Sequence, residues 1–203
     1  MTTGNRVPPP QLALVQDFLN SRDLGRGHDD FETAEQMRRW LLRHRLAAPQ
    51  TEFDEADRRR LVEVRDALAT LVAANAGNGA PRRPVTILNE AARRVRLGVR
   101  LHPDDGYRLM AEGIGVDRPV GDLLVSVMGS MAAGSWSRLK VCANPACGQA
   151  FFDWSRNRSG IWCSMAACGN RMKGRAYRRR RSGDAGSGAS GEAGDRARVA
   201  AAS

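Results

Sequence analysis

The sequence lacks any run of 18 or more apolar residues, which excludes a transmembrane helix. Residues Met1 to Pro10 show no basic stretch followed by an apolar one, so no secretory signal is expected and a cytoplasmic location follows. Histidine is scarce: His28, His44 and His102 are dispersed, and no metalloprotease, P-loop, dinucleotide-binding or nucleophile-elbow motif accompanies them. An enzyme is therefore not expected. Cysteine is missing altogether outside residues 142–168. The chain does have enough apolar residues, 42% against 27% charged, to build a core, and its 203 residues suffice for one or two domains.

Positive charge is unevenly spread. Residues 1–137 hold 19 Arg and 18 Asp plus Glu, a net of +1. Residues 138–181 hold 11 Lys plus Arg against one acid, Asp153, a net of +10, and the remaining 22 residues come to −1. These three values recover the net +10 of the whole chain, so its excess sits in 44 residues. A local field of that kind points to a polyanionic partner.

All four cysteines fall in the same segment. Cys142 and Cys147 form a C-x4-C pair, fifteen residues follow, and Cys163 and Cys168 form a second C-x4-C pair. In a reducing cytoplasm two short-spaced thiol pairs are expected to hold metal rather than disulfides. Four thiolates favour one Zn²⁺ over harder cations, and four protein ligands leave no open coordination position, so the ion is structural. The alternative is four buried or redox-active thiols. A Zn²⁺ with four thiolates is formally −2. Arg156, Arg158, Arg171 and Lys173 flank the ligands and could offset that charge, leaving about +8 on the loaded segment.

Hydrophobic spacing predicts the elements. Leu12, Val15, Phe18 and Leu19 read as a first helix ending near Asn20 and Ser21, before a polar loop with Gly25, Gly27, His28 and Asp29. Thr33 and Gln36 make a capping box ahead of Met37, Trp40, Leu41 and His44, a helix to about Arg45. Asp54 caps a third helix with Leu61, Val64, Leu68 and Leu71 on one face, and a loop from Gly77 to Pro84 precedes a short helix over Thr86 to Arg94. The period then changes to two. Val95, Leu97, Val99 and Leu101 alternate with Arg94, Arg96, Gly98 and Arg100 as a half-buried strand, Asp104, Asp105 and Gly106 signal a turn, and Tyr107, Leu109 and Ala111 form the return strand. Pro119 opens a core helix through Val120, Leu123, Leu124, Val127 and Met131.

Within the cysteine segment, Asn144 and Pro145 suit a tight metal-knuckle turn, and Phe151 to Ser155 alternate as a short strand. Ser164 can cap a helix on which Met165, Cys168, Met172 and Ala176 share one face, while Arg171, Arg175 and Arg178, extended by Arg179, Arg180 and Arg181, form a neighbouring basic stripe. A metal-anchored basic helix is built to lie against a nucleic-acid backbone. Each of Gly169 and Gly174 weakens it by about 1 kcal/mol relative to Ala.

The ligands and their intervening residues resemble the bacterial CGNR zinc finger. The matching residues are Cys142-x4-Cys147, then Phe151, Asp153, Ser155, Arg156 and Asn157, then Trp162 to Met165, and the tetrad Cys168, Gly169, Asn170 and Arg171 with Lys173 behind it. Gly160 and Ile161 depart from the pattern, where the family commonly has two further arginines. The part before the finger is similar to the ABATE domain, with Phe18 to Ser21 near its typical Phe-Val-Asn-Thr. The resemblance implies a stress-linked transcription regulator whose finger binds DNA.

The expected architecture is a mainly α regulatory domain with one β-hairpin over 1–137, a small treble-clef-like or zinc-ribbon-like finger over 138–181, and a disordered Gly-, Ser- and Ala-rich tail over 182–203. The candidate nucleic-acid contacts are Arg156, Arg158, Arg171, Lys173, Arg175, Arg178, Arg179, Arg180 and Arg181, although the terminal arginines could instead be a solvated helix end and Arg171 could cap the helix or pair with Asp153. Trp40 and Trp136 are expected in the core, His44 and His102 at the surface. Asn20, His28, Asp29 and Asp30 either cap a polar loop or border a ligand pocket. The expected partner is DNA at the nucleoid. The alternatives are RNA, with Phe151, Phe152 and Trp154 stacking on bases beside Arg156, or a zinc-stabilised protein-interaction module without nucleic acid. A homodimer is expected if binding is sequence-specific, and a small-molecule effector could occupy a pocket between the helices and the hairpin.

Overall fold

A computed structural model describes residues 7–187 apart from 78, 80, 104 and 105. The chain is mainly α with small antiparallel strand pairs. By compactness it divides after Cys163 into two units.

The first unit opens with α1 (Pro10–Asn20), the two-residue strands β1 (Arg22–Asp23) and β2 (His28–Asp29), α2 (Ala34–Arg43) and α3 (Glu55–Ala74). Both expected caps form. Thr33 accepts from the Gln36 backbone while the Gln36 side chain accepts from the Thr33 N–H, and Asp54 and Asp57 do the same for α3. Each satisfies donors that a helix start would otherwise leave bare. The inward faces of α1, α2 and α3 meet in the core around Leu12, Val15, Met37, Leu41, Leu61, Leu68 and Val72. There Phe18, Phe31 and Trp40 pack as an aromatic trio with centroids 5.4–5.9 Å apart.

Next come α4 (Arg82–Arg94), the hairpin β3 (Arg96–His102) and β4 (Gly106–Glu112), and α5 (Asp117–Ala132). Helix α4 starts four residues before its predicted Thr86, because Pro84 sits in the first turn, where its missing N–H costs nothing. The expected hairpin forms, and its register sets Val99 opposite Leu109 and Leu101 opposite Tyr107; residues 104 and 105 of its turn lie outside the described residues. Only its base is buried. Gly121 of α5 lets the helix approach closely there: a Cβ at this position would fall 2.5 Å from the Ala111 Cβ. Strand β3 was expected to be half-buried, but its outer apolar residues face solvent, because α5 covers only the Ala111 end.

The unit ends with a short 3-10 turn (Trp136–Arg138) and the strands β5 (Leu139–Val141) and β6 (Ala150–Phe152). These strands belong to the cysteine segment, yet Leu139 and Ala150 are buried in the helical core. The Asn20 side chain at the end of α1 donates to the Ala150 carbonyl at 3.0 Å and accepts from its N–H at 2.8 Å, acting as an extra strand residue beside β6. Asn75 at the end of α3 donates to the Trp136 and Leu139 carbonyls. These bonds and the shared core explain why the compact unit continues past residue 137.

The second unit begins with a π-helical turn (Met165–Gly169) and continues as α6 (Asn170–Ser187). Helix propagation is cheap once the first turn exists, and α6 runs six residues past the expected start of the tail. Residues 188–203, the rest of the expected tail, lie outside the described residues. No helix among the described residues is long and apolar enough to cross a membrane.

Candidate metal centre and basic surface

The loop between β5 and β6 is shaped by short-range bonds around a buried asparagine. Asn144 accepts from Ala146 N–H through its side chain at 3.3 Å and from Cys147 N–H through its carbonyl at 2.9 Å. Cys142 N–H donates to the Gln149 carbonyl, and Ala143 N–H to that of Ile161, each at 2.9 Å. Gly148 closes the knuckle at φ +67°, and a Cβ there would meet the Leu24 side chain at 2.7 Å. Ser164 caps the following turn, accepting from Ala167 N–H at 3.2 Å, and its carbonyl accepts from Cys168 and Gly169.

Cys142, Cys147, Cys163 and Cys168 bring one sulfur each to within 4.8 Å of one another. A tetrahedral ion with Zn–S near 2.3 Å needs sulfurs about 3.8 Å apart. The Cys147 and Cys163 sulfurs are already 3.6 Å apart, and the widest separation needs to close by only about 1 Å. The all-sulfur donor set suits a soft, closed, four-coordinate site and leaves no place for substrate. Burial, with the Cys147 and Cys142 thiols close by, pushes the Cys163 thiol up. Cys142 and Cys168 are buried, and the other two are half-buried.

A second cluster organises the loop that joins the cysteine pairs. Asp153 is buried and accepts from Lys140 Nζ at 2.7 Å, from Gly160 N–H at 2.8 Å and from Ser155 N–H at 2.9 Å. Burial would raise its carboxyl, but the Lys140 ammonium and these N–H donors more than offset that and hold it at about 2. Lys140 also donates to the carbonyls of Arg158 and Gly160. Arg138 donates to the carbonyls of Asp153 and Ser155 at 3.0 and 2.9 Å. At Gly160 a Cβ would fall 2.7 Å from Asp153 Oδ1, so glycine lets the backbone pass this close to the buried carboxylate.

Lys140 and Arg138 belong to the basic excess of the segment, yet both turn inward. The available signal was Asp153 itself, the lone acid among eleven cations. With its acceptor positions engaged by Lys140, Ser155 and Gly160, Asp153 has a structural role. The nine candidate contacts, Arg156, Arg158, Arg171, Lys173, Arg175, Arg178, Arg179, Arg180 and Arg181, are all exposed. Arg158 is partly committed, since its backbone takes φ +51° and its guanidinium donates to Ser137 Oγ at 3.3 Å. Along α6, Arg171, Arg175 and Arg178 recur at helical spacing, and Arg181 lies 5.8 Å from the Tyr177 ring centre. Met165, expected on the inward face, is exposed.

The polar residues near the start of the chain are structural. Asp29 forms a bidentate pair with Arg65, both bonds at 2.7 Å, and Arg65 also donates to Ser21 Oγ at 2.8 Å. Burial raises the Asp29 carboxyl, but the Arg65 hydrogen bonds outweigh it and leave the group below its ordinary value. Asp30 pairs with Arg43 at 3.0 Å and lies 3.6 Å from His28. Trp40 is in the core and Trp136 packs half-buried against it. His44, expected at the surface, is half-buried and stacked on Trp40 with centroids 3.9 Å apart, and burial pushes its imidazole down. A cleft of about 850 Å³ lies between α3 and α4 and is lined by both signs of charge, including Arg59, Glu63, Asp66, Arg83 and Arg94.

Comparison with known families agrees with this geometry. Residues 138–181 match the CGNR zinc finger family, and residues 12–133 match the ABATE family, described as "Putative stress-induced transcription regulator". No curated protein matches the chain. The ABATE match spans more than half of the sequence, and the four gathered cysteines all fall within the zinc-finger match; the chain belongs to the ABATE family, with a CGNR zinc finger following the ABATE domain.

Proposed function

We propose that the protein is a transcription regulator that binds DNA through its finger, at the nucleoid. One Zn²⁺ held by Cys142, Cys147, Cys163 and Cys168 orders the turn from which α6 starts. The observation that supports this reading is the sorting of charge in the cysteine segment. Two cations, Arg138 and Lys140, are spent inside on carbonyls and Asp153, while nine stand exposed with no acid among them. Exposed cations of one sign on a short segment neutralise phosphates and release counterions.

If about five phosphates are neutralised, log K falls with log salt at a slope near −4.5. Fluorescence anisotropy of a labelled duplex, titrated with zinc-loaded protein from about 0.05 to 0.2 M salt, measures that slope. A flat response overturns the reading.

A second reading rests on Trp154, which is exposed although its ring centre lies 4.6 Å from that of Phe152. An exposed aromatic beside Arg156 is a stacking platform for an unpaired base. Single-stranded RNA competing better than duplex DNA would favour it.

A further inference from the structure

The β3–β4 hairpin exposes an apolar face that the rest of the described chain does not cover. Its register places Leu97, Val99, Leu101, Tyr107, Leu109 and Ala111 on one side. Only Ala111 is buried; Leu97, Val99, Leu101 and Tyr107 are 41%, 63%, 78% and 65% exposed. Among the described residues neither strand has a further neighbour. A lone two-stranded sheet is marginal in water, and exposed apolar faces of this extent mark interaction sites.

We propose that this face is the contact between two copies of the chain, related by a two-fold axis. The four exposed side chains offer on the order of 400 Å² of apolar surface. A standard interface of about 800 Å² per partner, about 57% of it non-polar, requires about 450 Å². The face holds no ionisable charge, so two copies meet on it without desolvating one. The hairpin's cations, Arg96, Arg100 and Arg108, alternate onto the opposite side and stay in water in both copies. A two-fold contact requires a self-complementary surface, and an uncharged, apolar face meets that requirement. The terminal segments outside the described residues are poor candidates to cover it, since residues 1–6 and 188–203 offer only Met1 and Val199 as large apolar side chains.

Sedimentation velocity of the zinc-loaded full chain, run without nucleic acid from about 1 to 100 µM, tests this on the order of dimer affinities expected for such an interface. The expected result is a concentration-dependent dimer that Val99→Lys with Leu101→Lys weakens at least about 100-fold. Both positions are solvent-exposed, so the variant is expected to fold. Tyr107→Glu on the opposing strand provides an independent disruption, and Arg100→Ala on the other side leaves the dimer intact. A wild-type monomer throughout the range overturns the proposal and assigns the face to a partner of different sequence. A dimer that survives both face variants overturns it as well. Because no DNA is present, failure here is separate from failure of the DNA-binding reading.

Discussion

Replacing Lys140 with Met keeps the length of the side chain and removes its charge from beside a buried carboxylate. In the native protein the Lys140 side chain is 9% exposed, that of Asp153 is 2%, and the pair is 2.7 Å apart. Removing one partner of a buried pair costs about 3–5 kcal/mol, because the remaining charge stays buried without compensation. Here Ser155 and Gly160 still donate to Asp153, so the lower end, about 3 kcal/mol, is expected. For a protein of this size that lowers Tm by about 6–12 °C in thermal unfolding followed by circular dichroism. The pH dependence gives a second readout. A carboxyl held at about 2 instead of 3.8 stabilises the fold by about 2 kcal/mol above pH 4, and this is lost as pH falls from about 4 through 2. The difference in stability between wild type and Asp153→Asn should therefore shrink across that window, with any effect of acid on the metal site common to both. Lys140→Met should leave the salt slope of DNA binding unchanged, since its ammonium faces inward. A Tm within about 2 °C of wild type, or a salt slope reduced by about 1, would refute the assignment of Lys140 to the interior.

The other buried contacts and the metal site yield further expectations. Asn20→Ala removes both hydrogen bonds to Ala150 and is expected to cost about 2 kcal/mol in denaturant unfolding, with no loss if that junction is unimportant. Arg65→Met leaves Asp29 without its bidentate partner and should destabilise by about 2–3 kcal/mol, while the exposed Arg22→Met changes stability by less than about 0.5 kcal/mol. Chelation of the metal, or Cys168→Ser, should reduce the helical signal and remove one bound Zn²⁺ per chain by elemental analysis; full helicity without metal would count against zinc ordering α6.

Local rules made much of this protein legible from its residues. The capping box at Thr33 and the cap at Asp54 depend on side chains two or three positions apart, and the hairpin's two strands follow from alternation around a turn signal, so these could be read directly. The cysteine spacing likewise announced four gathered thiols, because short loops limit where each pair can go. Charge was less transparent. A sum over 138–181 treats Lys140 and Arg180 alike, although one is desolvated against Asp153 and the other faces water.

Composition, period and spacing thus determined the helices of the first unit, the β3–β4 hairpin, the thiol cluster and the basic segment, since each depends on neighbours within a few turns of chain; the short strands β1, β2 and β5 carry no such local signal. Tertiary structure alone decided which polar groups became internal and which apolar groups remained outside. Asn20 meets Ala150 across 130 residues and Arg65 meets Asp29 across 36. Conversely, the β3–β4 face has an ordinary core pattern and yet lies in solvent, because α5 reaches only its base. Alternation specifies that one side of a strand is apolar, but burial requires a second surface to be brought against it, and that is settled by how distant elements pack.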